Sequence, residues 1–219
     1  MNQSIFDFPP IEEFYEEDFI TSSSNIEAFN SIHRSESWAD KRLLLIGEEG
    51  SGKSHIARIF SHKTNATFIK FPLDLTELSK GNLILEDIHN ITDQDSLFHI
   101  INFCKNNQTN LLLTSTDLPG FSLPDLQSRM NATAKVLIKP PDEILFRAIL
   151  HKQFFQRQIN LDQEILDYLS VRLARGYTAI KEFVALVDQY SLVSKRRVTI
   201  PLIKNVLTII DARTNASPS

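Results

Sequence analysis

Eight consecutive residues carry the clearest chemistry in the chain. Gly47, Glu48, Glu49, Gly50, Ser51, Gly52, Lys53 and Ser54 fill the pattern G-x-x-x-x-G-K-[ST] without a mismatch. Glycines let such a segment fold tightly enough for successive backbone N–H groups, from Gly50 to Ser54, to converge on phosphate oxygens. A helix starting at the end of the segment adds the positive end of its dipole. In that arrangement Lys53 reaches the terminal phosphates and the Ser54 hydroxyl ligates Mg²⁺.

Phosphate chemistry with a metal also needs an acid at the end of a neighbouring buried strand, to hold the ion or orient water. The run NLILED ends on Glu86 and Asp87. We assign Glu86 to the metal and Asp87 to the reacting side. The run NLLLTST ends on Thr114, Ser115 and Thr116, whose hydroxyls can meet the γ-phosphate or the attacking water. Ser and Thr end many strands, so this assignment leans on the phosphate loop. The other chemically capable residues are dispersed. His33, His55, His62, His89, His99 and His151 have no metal-ligand spacing. Cys104 stands alone in the apolar run HIINFC, a core position with no partner for an internal disulfide.

These groups need a frame. RLLLIG before the loop and KSHIARIFSH after it read as strand, loop and helix. TFIKFP, NLILED, NLLLTST and KVLIKPP read as further short strands, with DSLFHIINFCKN an amphipathic helix among them. NLILED does not alternate in polarity, which places it inside a sheet covered on both faces. Strands alternating with helices predict a parallel sheet. Pro140 and Pro141 close this α/β part, because proline cannot continue a strand ladder. Beyond them DEILFRAILHKQFFQRQ, DQEILDYLSVRLARG and TAIKEFVALVDQYSLVSK read as three helices, and LIKNVLTII as part of a fourth. The expected organisation is an N-terminal arm over 1–24, an α/β domain over 25–140, a helical domain over 141–212 and a disordered tail over 213–219. Asn25 or Ser24 is expected to cap the helix IEAFNSIHR.

With 219 residues and 42% hydrophobic content, the chain can bury a core of its own. Its net charge of -4 is uneven: -8 over residues 1–40, zero over 41–150 and +4 over 151–219. Only the last third favours a polyanion, and that excess is too small for a footprint on duplex DNA. No run approaches the roughly 18–20 apolar residues of a membrane span, and the N-terminus is acidic where a secretory leader would be basic. A cytoplasmic protein is expected.

Over almost its whole length the sequence resembles the AAA+ core of the DnaA replication-initiator family, and more closely the Hda-like regulators within it. GEEGSGKSHIARI is similar to the family's phosphate loop with its trailing histidine, which implies that His55 joins the nucleotide site. LLLTSTDLP resembles the sensor strand, which implies Thr116 as the sensor. LPDLQSRM resembles the segment bearing the arginine finger, which implies that Arg129 acts in trans on a neighbouring subunit. KRRVTIPLIKNVL resembles the closing helix of the lid. The resemblance implies a P-loop AAA+ core with a parallel sheet flanked by helices and a small α-helical lid, ADP or ATP with Mg²⁺ as cofactor, and the DnaA initiator as partner.

Gln3-Ser4-Ile5-Phe6-Asp7-Phe8 is similar to the hexapeptide with which Hda-like proteins bind the sliding clamp. That implies Gln3 at a pocket rim and Phe6 and Phe8 in apolar sites. The other reading of these residues is a strand tucking its Phe side chains onto the core. Initiators of the family continue into a helix-turn-helix DNA reader, and no sequence remains here to supply one, so no sequence-specific DNA reading is expected. A homo-oligomer is compatible with the family. The run Lys195, Arg196, Arg197 reads as a solvated loop between helices, with phosphate contact as its alternative.

Three positions depart from the family. Thr178 stands where an Arg often reaches the nucleotide, with Lys181 one turn later; Glu86 stands where Asp prevails; Ser4 stands where Leu is preferred. The first two imply weak or absent hydrolysis by the chain itself and leave nucleotide binding to the loop. The function implied is a clamp-associated regulator that stimulates hydrolysis of DnaA-bound ATP and so restrains replication initiation. Two alternatives stay open: a helicase loader or remodelling ATPase with its own turnover, and a non-catalytic ADP-bound adaptor whose nucleotide holds the two domains together.

Overall fold

A computed structural model describes residues 15–71, 78, 81–194 and 198–216, with the backbone alone described at 192–194 and 214–216. The apolar runs become five strands: β1 Arg42–Ile46, β2 Thr67–Ile69, β3 Leu83–Leu85, β4 Leu111–Ser115 and β5 Ala134–Leu137. They form one parallel sheet in the order β2-β3-β4-β1-β5. Every residue of β1, β3 and β4 is buried, which is why their sequences do not alternate.

Neighbouring residues of β1 face opposite layers. Leu43 and Leu45 pack with Ala28 and Ile32 of α1 Ile26–His33 and with Ile56 and Phe60 of α2 Lys53–Thr64. Leu44 and Ile46 pack with Leu97 and Ile101 of α3 Gln94–Asn107 and with Leu126 and Met130 of α4 Pro124–Ala132. Cys104 lies in this second layer, where burial pushes its thiol up to about 11 and leaves it inert. Of the segment LPDLQSRM, all but Leu123 is helical. Pro124 supplies the fixed φ of the first turn of α4, where a missing N–H costs no helical hydrogen bond.

The helical domain holds α5 Glu143–Gln156, α6 Gln163–Arg172, α7 Tyr177–Ser194 and α8 Ile200–Ala216 around Phe146, Phe154, Leu169, Phe183, Val187 and Ile203. Asp142 starts it, its carboxylate accepting from Leu145 N at 2.9 Å as an N-cap. Two boundaries differ from the sequence reading. α6 stops at Arg172 because Leu173 turns extended (φ -83, ψ 135) and buries its side chain. α8 continues to Ala216, across the first four residues of the expected tail.

Residues 15–24 do not stand off as an arm. After a single 3-10 turn at Glu16–Asp18, Phe19 and Ile20 pack against the first layer. Ser24 then joins the two domains: its carbonyl accepts from Lys139 N at 3.0 Å and its hydroxyl from Asp142 N at 2.8 Å. Neither Asn25 nor Ser24 caps α1 with a side chain. Asn25 instead closes the preceding turn, accepting from Ser22 N and donating to Ile20 O. Gln3, Ser4, Phe6 and Phe8, and the run 195–197, lie outside the described residues. Among the described residues no helix is long and apolar enough to cross a membrane.

Candidate functional site: a nucleotide cleft between core and lid

Strand register brings the chemistry together. Ile46 is level with Ser115, and Leu113 with Leu85, so β1, β4 and β3 end at one edge of the sheet. The loops carrying 47–52, Thr116 and 86–87 therefore leave side by side. β1 lies between β4 and β5, where the strand order reverses, and that is where a parallel sheet opens a crevice for ligands.

The loop has the geometry of a phosphate cradle. Gly47 N donates to Ser115 O at 3.1 Å, and a β-carbon at Gly47 would stand only 2.7 Å from Ser51 Oγ. Gly50 and Gly52 hold φ of +80 and +93, backbone that residues with a β-carbon rarely adopt. Ser51 Oγ is buried with no hydrogen-bond partner among the described residues, a polar group suited to a phosphate oxygen. Lys53 is 6% exposed and donates from Nζ to the carbonyls of Gly47 at 2.6 Å and Glu48 at 3.0 Å. Burial pulls its ammonium below the usual lysine value, against the pull of Asp87, Glu49, Glu86 and Glu48.

A cleft of about 520 Å³ runs from this loop to the helical domain, bordered among others by Phe19, Ser54, His55, Asp87, Thr116, Ile149, Tyr177 and Lys181. The wall beside the loop is aromatic, with the Phe19 ring lying against Gly52. The Phe19 ring stacks on Phe29 with centroids 5.4 Å apart and meets His55 edge-on at 5.2 Å. His55 Nε2 lies 2.8 Å from the Tyr15 carbonyl, and burial holds the imidazole below its usual pKa, in the neutral form at pH 7. A neutral aromatic wall beside a phosphate cradle fits a nucleoside diphosphate or triphosphate. Sequence reasoning missed Phe19; its cue was an aromatic residue shortly before α1, in a segment read as an arm.

The strand-end acids turn apart. Asp87 has φ +52, with its N–H donating to Thr114 Oγ1 at 3.0 Å. It borders both this cleft and a neighbouring one of about 670 Å³, whereas Glu86 borders the neighbouring one alone, with Oε1 buried and without a donor among the described residues. Asp87 thus borders the same cleft as Ser54, and both acids act on the charge of Lys53. Among the described residues no group of three or more His, Cys, Asp and Glu side chains suits a metal ion. Mg²⁺ here would draw on Ser54, one or both acids and phosphate oxygens. Thr116 also borders the cleft, its N–H directed at His89 Nδ1 at 3.4 Å.

Two residues implied by the resemblance sit differently. Arg129, on α4, is not among the residues bordering the cleft; its Cζ stands 5.0 Å from the centroid of the Phe98 ring on α3. Lys181 borders the cleft, but its ammonium pairs with Glu49 Oε1 at 2.8 Å. Thr178, at the start of α7, donates its N–H to Glu48 Oε1 at 2.9 Å.

Comparison with known proteins accounts for both domains. Residues 144–207, which span most of α5–α8, match the family described as Hda, lid domain. Domain III of the Thermotoga maritima replication initiation protein DnaA shares the fold with a TM-score of 0.71 over 90% of this chain and 96% of that one, at 18% identity. The chain shares the fold of the DnaA AAA+ core, and its helical domain matches the Hda lid family. In sequence, an uncharacterized protein of Haemophilus influenzae is 29% identical over 91% of this chain and 93% of its own length. The chromosomal replication initiator DnaA of Buchnera aphidicola is 24% identical over 77% of this chain and 46% of its own length. The chain spans about half the length of the curated initiators it matches. The same core fold occurs in DnaA bound to AMPPCP and single-stranded DNA, with a TM-score of 0.65 over 84% of this chain and 69% of that one at 18% identity.

Proposed function

We propose that this protein binds ADP or ATP with Mg²⁺ in the cleft and regulates chromosomal replication initiation by lending Arg129 to ATP held on the DnaA initiator. The observation that carries the reading is the position of Arg129: it lies away from the chain's own cleft, on the α4 face beside Phe98, in a protein with an Hda-type lid. A fixed guanidinium offered to a neighbour's γ-phosphate stabilises the charge that spreads there during hydrolysis. Within the chain's own cleft, Lys53 and Ser51 would meet phosphate oxygens, Phe19 and His55 the base, and Ser54 with Asp87 and Glu86 the metal. Thr116 would face the terminal phosphate. With Thr178 at the position where the family often carries an Arg, and with Lys181 engaged by Glu49, the first turns of α7 offer no unpaired cation to a γ-phosphate, which favours weak turnover by the chain itself. Gln3, Phe6 and Phe8 would dock extended on the sliding clamp and bring the protein to DNA where the initiator acts.

The deciding experiment measures ATP hydrolysis by DnaA, with and without clamp loaded on DNA, adding wild type or Arg129→Ala. Stimulation by wild type alone is expected. Equal stimulation by both proteins removes the finger; none by either, with nucleotide still bound, sinks the regulatory reading. Removal of residues 1–8 is expected to abolish clamp binding in a pull-down and leave nucleotide affinity unchanged.

A further inference from the structure

The loop between β1 and α2 touches the lid directly. α7 is the longest helix of the lid, 18 residues from Tyr177, and its first N–H groups lack intrahelical partners and carry the positive end of the dipole. Two of them are taken by one side chain from the other domain: Glu48 Oε2 accepts from Tyr177 N at 3.0 Å and Oε1 from Thr178 N at 2.9 Å. We infer that Glu48 is a positioning residue that clasps the lid to the phosphate loop, capping α7 from 129 residues away and holding it there without help from a nucleotide.

The surroundings are built for that contact. A β-carbon at Gly176 would come within 3.1 Å and 3.3 Å of the two carboxylate oxygens, so a side chain before α7 would press the carboxylate out of its present place. Tyr177 is 4% exposed, belongs to the first layer of the α/β core, and donates its hydroxyl to Lys139 O at 3.1 Å. Lys181, one turn along, pairs with Glu49, the next residue of the loop. Partial burial alone would raise the Glu48 carboxyl's pKa, but the hydrogen bonds from Thr178 and Tyr177, with the charge of Lys53, outweigh it and hold the group ionised.

The clasp also reaches the phosphate-binding cation. The Glu48 carbonyl accepts from Lys53 Nζ at 3.0 Å while the same residue's carboxylate holds α7. Lys53, Glu48 and Thr178 are therefore in series. A ligand that draws Lys53 away from that carbonyl acts on the backbone of the residue that fixes the lid, and this consequence rests on the nucleotide reading above. The clasp itself does not.

Backbone amide hydrogen exchange on the full chain tests it, without nucleotide and then with Mg²⁺-ADP or Mg²⁺-ATP. In wild type the amides of Tyr177 and Thr178 are expected to be protected before any nucleotide is added. In Glu48→Ala without nucleotide they are expected to exchange at least about tenfold faster, as loss of a charge-assisted hydrogen bond implies, while the amides of β1 and β4 keep their protection. Glu48→Gln, which keeps an acceptor and loses the charge, should fall between, and Glu49→Gln should leave both amides as in wild type. Equal exchange in wild type and Glu48→Ala overturns the inference, as does wild-type protection that arises only on adding nucleotide. If Glu48→Ala loosens β1 as well, Glu48→Gln decides: faster exchange confined to α7 supports the clasp, and exchange spread through the sheet overturns it. Failure of wild type to bind either nucleotide would refute the cleft assignment, while the nucleotide-free comparison would still decide the clasp.

Discussion

Arg129 rests on Phe98, its Cζ 5.0 Å from the ring centroid, on the outer side of α3 and α4. A guanidinium over an aromatic face at a partly exposed site gains about 0.5–1 kcal/mol. If Arg129 serves a neighbouring subunit, it must give up that contact to do so. Phe98→Leu keeps an apolar side chain against the second layer and removes the ring. The half-maximal concentration of the variant for stimulating DnaA hydrolysis is therefore expected to fall about two- to fivefold, with nucleotide affinity unchanged. A titration of initiator ATPase against each protein measures it, and an unchanged midpoint would show that the ring does not restrain the arginine.

Behind Arg129 lies a buried arginine. Arg42 is 1% exposed; its Nε donates to Thr133 Oγ1 at 3.2 Å, and that hydroxyl donates to the Arg129 carbonyl at 2.9 Å. Its Nη2 pairs with Asp40, which is 46% exposed, while Nη1 finds no partner among the described residues. Removing the cation strands little, because Asp40 reaches water. Removing the hydroxyl strands Arg42 Nε in the interior. Arg42→Met is thus expected to change unfolding free energy by less than about 1 kcal/mol, and Thr133→Val to lower it by about 1–3 kcal/mol. Urea melts of the two variants decide; the reverse ranking would mean that Arg42 contributes net stability through its charge.

Much of this architecture was legible in the residues. The non-alternating strands NLILED and NLLLTST, the glycine-rich loop and the proline pair all act locally, and the periodicity or turn chemistry of each segment decides its form. The fold class and the Hda-type lid stand as the sequence and its resemblance implied. What local reasoning could not reach depends on pairs far apart in the chain. Glu48 looked like a filler position of the loop, yet its partners are 129 and 130 residues away. The divergence of Glu86 and Asp87 turns on the left-handed backbone of Asp87, a conformation that a non-glycine residue does not advertise. The docking of Phe19 on the cleft depends on Asn25 closing the preceding turn, although its type suggested a helix cap.

Lys53 separates binding from stability. Its ammonium is nearly buried and satisfied by two carbonyls of its own loop, so its charge costs desolvation that an apolar side chain of similar length avoids. Lys53→Met is expected to lower nucleotide affinity at least about 100-fold, as loss of a charge-assisted contact of about 3 kcal/mol implies, and to leave the melting temperature equal or higher. Calorimetric titration and thermal melts on one preparation measure both. Unchanged affinity would sink the phosphate-site assignment.

Acid should undo the clasp in a defined direction. The Glu48 carboxyl has its folded pKa below its ordinary value of 4.5: partial burial opposes the shift, and the hydrogen bonds from Thr178 and Tyr177 with Lys53 nearby produce it. A folded value below the unfolded one means that the contribution to stability is fully present above about pH 4.5 and is lost as pH falls through the folded value. Glu49, Asp142, Glu143 and Asp167 are shifted the same way, so acid lability of the whole protein does not isolate this residue. The difference between wild type and Glu48→Gln does, because the glutamine cannot titrate. That difference in unfolding free energy is expected to be largest near neutral pH and to shrink as pH falls through the folded value, with exchange at Tyr177 and Thr178 converging over the same range once corrected for intrinsic rates. Urea midpoints of the two proteins from pH 7 to pH 3 provide the measurement. A difference that stays constant with pH would mean that the carboxylate's charge adds nothing to the cap, leaving α7 held by Tyr177 and the shape of the Gly176 turn.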